Sequence, residues 1–164
     1  MSAPNQNGPL DESPYEQLAS RFAFDEQKPI LLIGEDRSVS DLCRTPLAHE
    51  MTVSRSIDDQ NHPAGSFGGI LALGMLEGYS KSRAYEALAD AYRLLRDGGV
   101  LAATVRYGTI HEERPTHGSN AWNVSGLIDV ITKTGFEVDD LRVDQHDSAA
   151  PYLVMSVLAR KDSA

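Results

Sequence analysis

Hydrophobic positions along this chain fall into two kinds of pattern that alternate. Short unbroken apolar runs occur at Ile30-Leu31-Leu32-Ile33, Ile70-Leu71-Ala72-Leu73 and Val100-Leu101-Ala102-Ala103-Thr104-Val105. A run of that length suits a strand of a parallel sheet, whose two faces are both covered and whose side chains are therefore apolar on both sides. Between the second and third runs, Tyr85, Leu88, Tyr92 and Leu95 recur at helical spacing and mark one face of an amphipathic helix. Gly65-Ser66 reads as the turn into the Gly69–Leu73 strand, and Ser80 to Ser82 as a polar corner before the helix. Asp97-Gly98-Gly99 is expected to end that helix, since glycine tolerates the left-handed conformation common at helix C-termini. Strand, helix and strand within about forty residues form a βαβ crossover, right-handed by the general rule.

The flanking sequence extends this α/β pattern. Ser13-Pro14-Tyr15-Glu16 has the form of a capping box, with Tyr15, Leu18 and Phe22 on one side of the helix it would start. Pro29 introduces the strand Ile30–Gly34, and Met51 and Val53 suggest a short strand within His49 to Ile57. Arg106 to Asn120, rich in Gly, Pro, His and Glu, reads as a loop. Asn123 is placed to cap a helix carrying Leu127, Ile128 and Ile131, closed by Gly135 with Phe136 as its hydrophobic follower. Phe136, Val138, Leu141 and Val143 alternate with one irregularity, and Tyr152 to Leu158 gives a further strand. With Asp147 to Pro151 turning between them, the two form an antiparallel hairpin. Residues 1–12 are polar and aperiodic and are expected to be a disordered tail, leaving residues 13–164 as a single domain.

Three segments carry a family resemblance. Gln60-Asn61-His62-Pro63-Ala64-Gly65-Ser66-Phe67-Gly68, then Leu71 to Tyr79, then Arg93-Leu94-Leu95-Arg96-Asp97-Gly98-Gly99 lie in register, without a gap, with a known pattern. They resemble the middle of a class I S-adenosylmethionine-dependent methyltransferase, with its L-P-F-P-D-G-S-F-D loop, V-V-L-A-L-G-V-L-E-H-V strand and R-V-L-K-P-G-G helix end. Trp122 and the helix into Thr134-Gly135-Phe136-Glu137-Val138 are similar to the same family's tail. The resemblance runs from about Pro29 to the C-terminus and is most specific from Ser56 onward. It implies a Rossmann-like methyltransferase sheet, mostly parallel, with a C-terminal antiparallel hairpin. A crossover usually needs about a dozen residues or more. Gly34 to Ser56 is therefore too short for two helices and an intervening strand, and the sheet should be short of one N-terminal βα unit.

The resemblance also implies a cofactor, S-adenosyl-L-methionine, and positions for it. The family uses a glycine-rich turn beside the methionine moiety, a carboxylate after the second strand for the ribose hydroxyls, and an acidic residue near the end of the third strand for the adenine amine. Dinucleotide sites use similar logic. Here Gly34 alone represents the glycine turn, and Glu35, Asp36 and Arg37 follow with charged side chains that would crowd the cofactor's path. In a second alignment Ile30–Gly34 is the family's second strand, with Glu35 or Asp36 as the ribose carboxylate. Ser56 stands where the family has the adenine-binding Asp, and Asp58 and Asp59 follow as substitutes. Gly68 and Gly78 replace a family Asp and His. Leu73-Gly74-Met75, followed by Glu77, resembles the backbone patch beside the transferred methyl group. Tyr107, His111 and His117 fall where the family builds its substrate pocket, and a histidine there can act as general base near neutral pH.

Each of these positions also has an ordinary reading: solvated carboxylates in polar loops, surface histidines, and core packing for Leu73 and Met75. Agreement at packing positions combined with departures at site positions points to a kept fold and a degenerate cofactor pocket. The expected function is then that of a binding, scaffold or regulatory protein that needs no cofactor. An active methyltransferase acting on a small molecule is the alternative, and binding of another nucleotide-like or acidic metabolite is a third. His111-Glu112-Glu113 lacks the H-E-x-x-H spacing of a metal site and is followed by Pro115, so no metal is expected. No nucleophile elbow supports Ser-His-Asp hydrolysis.

Composition narrows the partners. The hydrophobic fraction of 41% and charged fraction of 24% are ordinary for a globular domain. A net charge of −9 argues against nonspecific nucleic-acid binding, which relies on clustered Lys and Arg. No apolar run approaches the ~20 residues a membrane span needs, and the N-terminus has no signal-peptide pattern. The single cysteine, Cys43, cannot form an internal disulfide and fits a reducing, cytoplasmic setting. The partners left are a small-molecule ligand or a protein, including homo- or heterodimerisation through a sheet edge exposed by the missing unit.

Overall fold

The computed structural model describes residues 29–34, 51–54, 56–59, 61–76, 79–109, 122–145 and 152–162. The apolar runs become strands: β1 is Ile30–Gly34, β2 Met51–Ser54, β3 Phe67–Leu73, β4 Leu95–Thr109, β5 Phe136–Gln145 and β6 Tyr152–Lys161. Two α-helices, α1 (Lys81–Leu94) and α2 (Val124–Thr134), and a 3-10 turn at Ile57–Asp59 complete the described elements. The strands form one sheet in the order β2-β1-β3-β4-β6-β5. β2, β1, β3 and β4 pair in parallel, whereas β6 runs antiparallel to both β4 and β5. This is a Rossmann-like, mostly parallel sheet with a C-terminal antiparallel hairpin.

Strand order locates the switch point. The chain steps outward from β1 to β2, then returns to the other side of β1 to lay down β3. Such a reversal is the topological switch point of a doubly wound sheet. A 3-2-1-4-5 sheet that lacks its first strand and one that lacks its third leave this same order, so both alignments of Ile30–Gly34 are compatible with it.

Every residue of β1 and β3 is buried, as continuous apolar strands require. Leu31, Ile33, Ile70, Ala72, Leu101 and Ala103 face the cluster they share with α1 and α2, while Leu32, Leu71 and Ala102 on the alternate face are buried too. The buried face of α1 is Ala84, Ala87, Leu88, Ala91 and Leu94; of the expected stripe Leu88 lies on it and Leu95 is buried just past the helix, whereas the two tyrosines do not belong to it. Tyr85 is 46% exposed, and Tyr92 lies half-buried against the edge of Phe136. Alanines let a helix backbone approach a sheet closely, which a pair of tyrosines would prevent.

α1 ends at Leu94, three residues before the expected stop. Leu95 is already extended and pairs with Phe67, and the register shifts before Val100 meets Gly69. The glycine pair serves this irregularity instead of a helix cap. Gly98 has φ +77°, and a Cβ on Gly99 would lie 2.8 Å from the carbonyl of Arg96. At its far end β4 continues through Thr109, so Arg106–Thr109 is strand where a loop was expected. Antiparallel pairing with β6 prolongs it, and a register shift between Arg106 and Gly108 accommodates the glycine.

The second half follows its sequence more closely. Asn123 caps α2 by accepting the Gly126 N–H, and Gly135 closes it at φ +116° with Phe136 buried behind it. Val130 is buried where Ile128 is only partly so. The irregularity expected between Val138 and Leu141 is a register shift between Val138 and Asp140. The helix starting at Ser13, the N-terminal tail, the segment ending near Pro46, the loop beyond Thr109 and the turn before Pro151 lie outside the described residues.

Candidate functional site

In an open α/β sheet, ligands lie outside the carboxyl ends of the strands at the switch point. Here those ends are Gly34 of β1 and Leu73 of β3, which are register partners. Their row continues across the sheet through Thr104 of β4 and Ser156 of β6. Thr104 and Ser156 are both buried, and the Ser156 hydroxyl has no hydrogen-bond partner.

Immediately past Leu73 the chain turns on Gly74, at φ +70°. The Gly74 N–H donates to both the carbonyl and the hydroxyl oxygen of Thr104, at 3.0 and 3.1 Å. Met75 and Leu76 then drop into the core. The Leu76 carbonyl accepts the Trp122 indole N–H at 2.9 Å and the Tyr79 N–H at 3.1 Å. The turn after β3 is thereby fixed from both sides.

The other half of the site follows β2. Ser54 Oγ donates to the Ser56 carbonyl at 3.0 Å, and Ser56 Oγ accepts the Asp58 N–H at 3.1 Å. Ser56 Oγ also lies 3.4 Å from Asp58 Oδ2. Asp58 begins no free acidic patch, because its Oδ2 is ion-paired with Arg83 in the first turn of α1. Arg83 lies 3.5 Å from Glu86 Oε2 and stands over the Tyr79 ring, 5.1 Å from its centroid. Hydrogen bonding to Asp58 raises the guanidinium pKa above its ordinary value against a smaller opposing effect of burial. Ser80 caps α1 by accepting the Arg83 N–H at 3.2 Å.

Gly34, Leu73 and Gly74 are thus brought together at the switch point, while Ser56 and Asp58 sit beyond β2, tied to α1. Asp59 belongs to the 3-10 turn Ile57–Asp59. Tyr107 is a residue of β4. Glu35, Asp36, Glu77, Gly78, His111 and His117 lie outside the described residues. The sequence reading missed Arg83 and Thr104. Thr104 had a signal, a hydroxyl inside an otherwise apolar run; Arg83 had none, because its partner is 25 residues away.

No protein-family model matches the sequence, and no curated protein does. Solved structures do match. An S-adenosylmethionine-dependent methyltransferase of Methanosarcina mazei is 15% identical, with 90% of this chain covering 98% of that one at a TM-score of 0.64. The 1,6-didemethyltoxoflavin-N1-methyltransferase of Burkholderia thailandensis, solved with S-adenosylhomocysteine, is 18% identical, over 93% of this chain and 80% of that one, at 0.66. The [4+2]-cyclase SpnF is 15% identical, over 92% and 80%, at 0.68.

The chain has a class I S-adenosylmethionine-dependent methyltransferase-like fold.

Within this methyltransferase-like fold Gly34, Leu73 and Gly74 stand at the carboxyl ends of β1 and β3, and the Ser56–Asp58–Arg83 cluster joins the segment after β2 to α1. Among the described residues no His, Cys, Asp and Glu side chains group to hold a metal, and no helix is long and apolar enough to cross a membrane.

Proposed function

We propose that this is a methyltransferase-like domain whose nucleoside-binding groups have been turned to internal bonding, and that it works as a binding, scaffold or regulatory protein. The observation that carries this reading is the Asp58–Arg83 ion pair. Asp58, which the resemblance offers together with Asp59 in place of the family's adenine-binding acid, is already engaged by a guanidinium and by Ser56. Gly74, which the resemblance sets beside the reacting methyl group, commits its N–H to Thr104. On this reading both groups are occupied within the fold, and Asp58 would have to leave Arg83 to meet a nucleoside. SpnF, named as a cyclase, is a further indication that a protein of this shape need not be a transferase. A protein partner or a small acidic or nucleotide-like metabolite in a cytoplasmic setting is the expected ligand.

Activity on a small molecule, as the Burkholderia enzyme's name describes for that protein, is the second reading; it would require Asp58 to leave Arg83. Thermal denaturation of the full chain separates the two. A ligand that binds only the native state stabilises it by roughly 2.7 kcal/mol at a hundred times its Kd. Millimolar S-adenosylmethionine should leave the melting temperature unchanged, and a concentration-dependent rise would favour the enzyme.

A further inference from the structure

We propose that β2 is a self-pairing edge: two copies of this chain join through it, antiparallel about a twofold axis at Val53, and the sheet continues from one copy into the other. The proposal does not depend on what the carboxyl end of the sheet binds.

The two edges of the sheet differ in kind. The sheet ends in β2 on one side and in β5 on the other. An edge strand offers a row of unpaired N–H and C=O groups to any further strand. β5 is defended against one. It carries Glu137, Asp139, Asp140, Arg142 and Asp144, and its register breaks between Val138 and Asp140. Charges and bulges are the usual means of keeping a second strand away. β2, Met51-Thr52-Val53-Ser54, has no charge, proline or glycine, and it pairs with β1 in unbroken register. Thr52 and Val53 are exposed, Val53 to 49%, so the strand is open to a neighbour.

The sequence of β2 fits a second copy of itself. In an antiparallel pair, directly opposite residues lie on the same face. A twofold axis normal to the sheet can therefore pass at Val53. It sets Val53 against Val53, and each Thr52 against the other copy's Ser54. The first contact covers an exposed hydrophobic side chain, and the second pairs hydroxyl residues, a favourable cross-strand combination. No like charges meet within the paired strands, which matters for a chain of net charge −9. A seam between two β5 strands would bring carboxylates together instead. A contact of four residues per copy belongs with weak, transient interfaces.

Sedimentation equilibrium of the full chain, from about 10 µM to about 1 mM, tests this. The average mass should rise from one chain toward two. Val53→Lys, which sets two ammonium groups opposite each other, should weaken the dimer roughly tenfold or more. Val143→Lys, on the other edge, should leave it unchanged. Raising salt from about 20 to about 300 mM should tighten the dimer by screening the repulsion between two acidic chains. Cysteine cross-linking, with the single native cysteine removed by Cys43→Ser, reads the register without disturbing the edge. Val53→Cys should form a covalent dimer at least about tenfold faster than Thr52→Cys, whose own copies are diagonal and too far apart. A native chain that stays monomeric throughout, even one that takes up an unrelated extended peptide, overturns the proposal. So does a dimer that Val143→Lys weakens and Val53→Lys does not, one that salt dissociates, or equal cross-linking at the two positions.

Discussion

Trp122 donates its indole N–H to the carbonyl of Leu76, 46 residues earlier in the chain, at 2.9 Å and out of contact with water. This bond ties the start of α2 to the turn after β3, the turn that sets Gly74 at the switch point. An indole combines a large apolar body with one donor, so it can fill the core and satisfy a buried carbonyl at once. Trp122→Phe keeps most of the volume, and the Leu76 carbonyl still accepts the Tyr79 N–H. The expected loss is about 1 kcal/mol, against about 3–5 kcal/mol for Trp122→Ala. Urea denaturation followed by circular dichroism measures both, and an equal loss in the two variants would contradict the role given to the bond.

Three glycines should respond to alanine in a definite order. At Gly98, φ is +77° but nothing lies within 4 Å of a new Cβ, so only backbone strain of about 1 kcal/mol is expected. At Gly135, φ is +116° and the Tyr92 ring is 3.2 Å away, so strain and crowding add. At Gly99 the new Cβ would meet the Arg96 carbonyl at 2.8 Å and the Gly68 carbonyl at 3.2 Å, both backbone atoms that cannot swing aside. Thermal melts should rank Gly98→Ala as the mildest of the three. A Gly99→Ala protein as stable as the native one would show that β4 does not run where it is described.

Ser156 presents the opposite case. Its hydroxyl is buried in the sheet without a partner, and an unsatisfied buried hydroxyl costs roughly 1–3 kcal/mol. Ser156→Ala removes the polar atom and little volume, so stability should be unchanged or rise by about 1 kcal/mol. Thr104→Val, one strand over, should instead lower stability by about 1 kcal/mol, because Thr104 Oγ1 accepts the Gly74 N–H. Chemical denaturation of the two variants, side by side, reads out the sign of each effect.

Lys161 reaches back from the end of β6 to the carboxyl end of α1. Its ammonium donates to the Tyr92 and Leu95 carbonyls, each at 2.9 Å, and stands 4.6 Å from the Tyr92 ring centroid. A cation at a helix C-terminus satisfies carbonyls that have no partner within the helix. Lys161→Met keeps the stem and loses the charge, and about 1–2 kcal/mol of stability should go with it. Hydrogen exchange should show the last turn of α1 opening before the rest of the helix.

Much of this architecture was legible in the sequence because it depends on local pattern. The runs Ile30–Ile33, Ile70–Leu73 and Val100–Val105 are strands, and the broken alternation after Val138 is a register shift in β5. Where a partner decides the outcome, the pattern misled. Tyr85 and Tyr92 have helical spacing, yet the sheet receives the alanine face of α1; Arg106–Thr109 looks like loop, yet β6 recruits it. The site was legible only in outline. Resemblance drew attention to Ser56, Asp58, Leu73 and Gly74, all near the switch point or just beyond β2. That Asp58 meets Arg83 depends on how β2 and α1 lie in space, and nothing in either local sequence announces it.

Isothermal titration of the full chain with S-adenosylmethionine bears most directly on whether the adenosine-gripping groups are spent on the protein's own fold. The account predicts no saturable heat at micromolar ligand, because Asp58 is already held by Arg83 and Ser56. A saturable isotherm with a micromolar dissociation constant would contradict it.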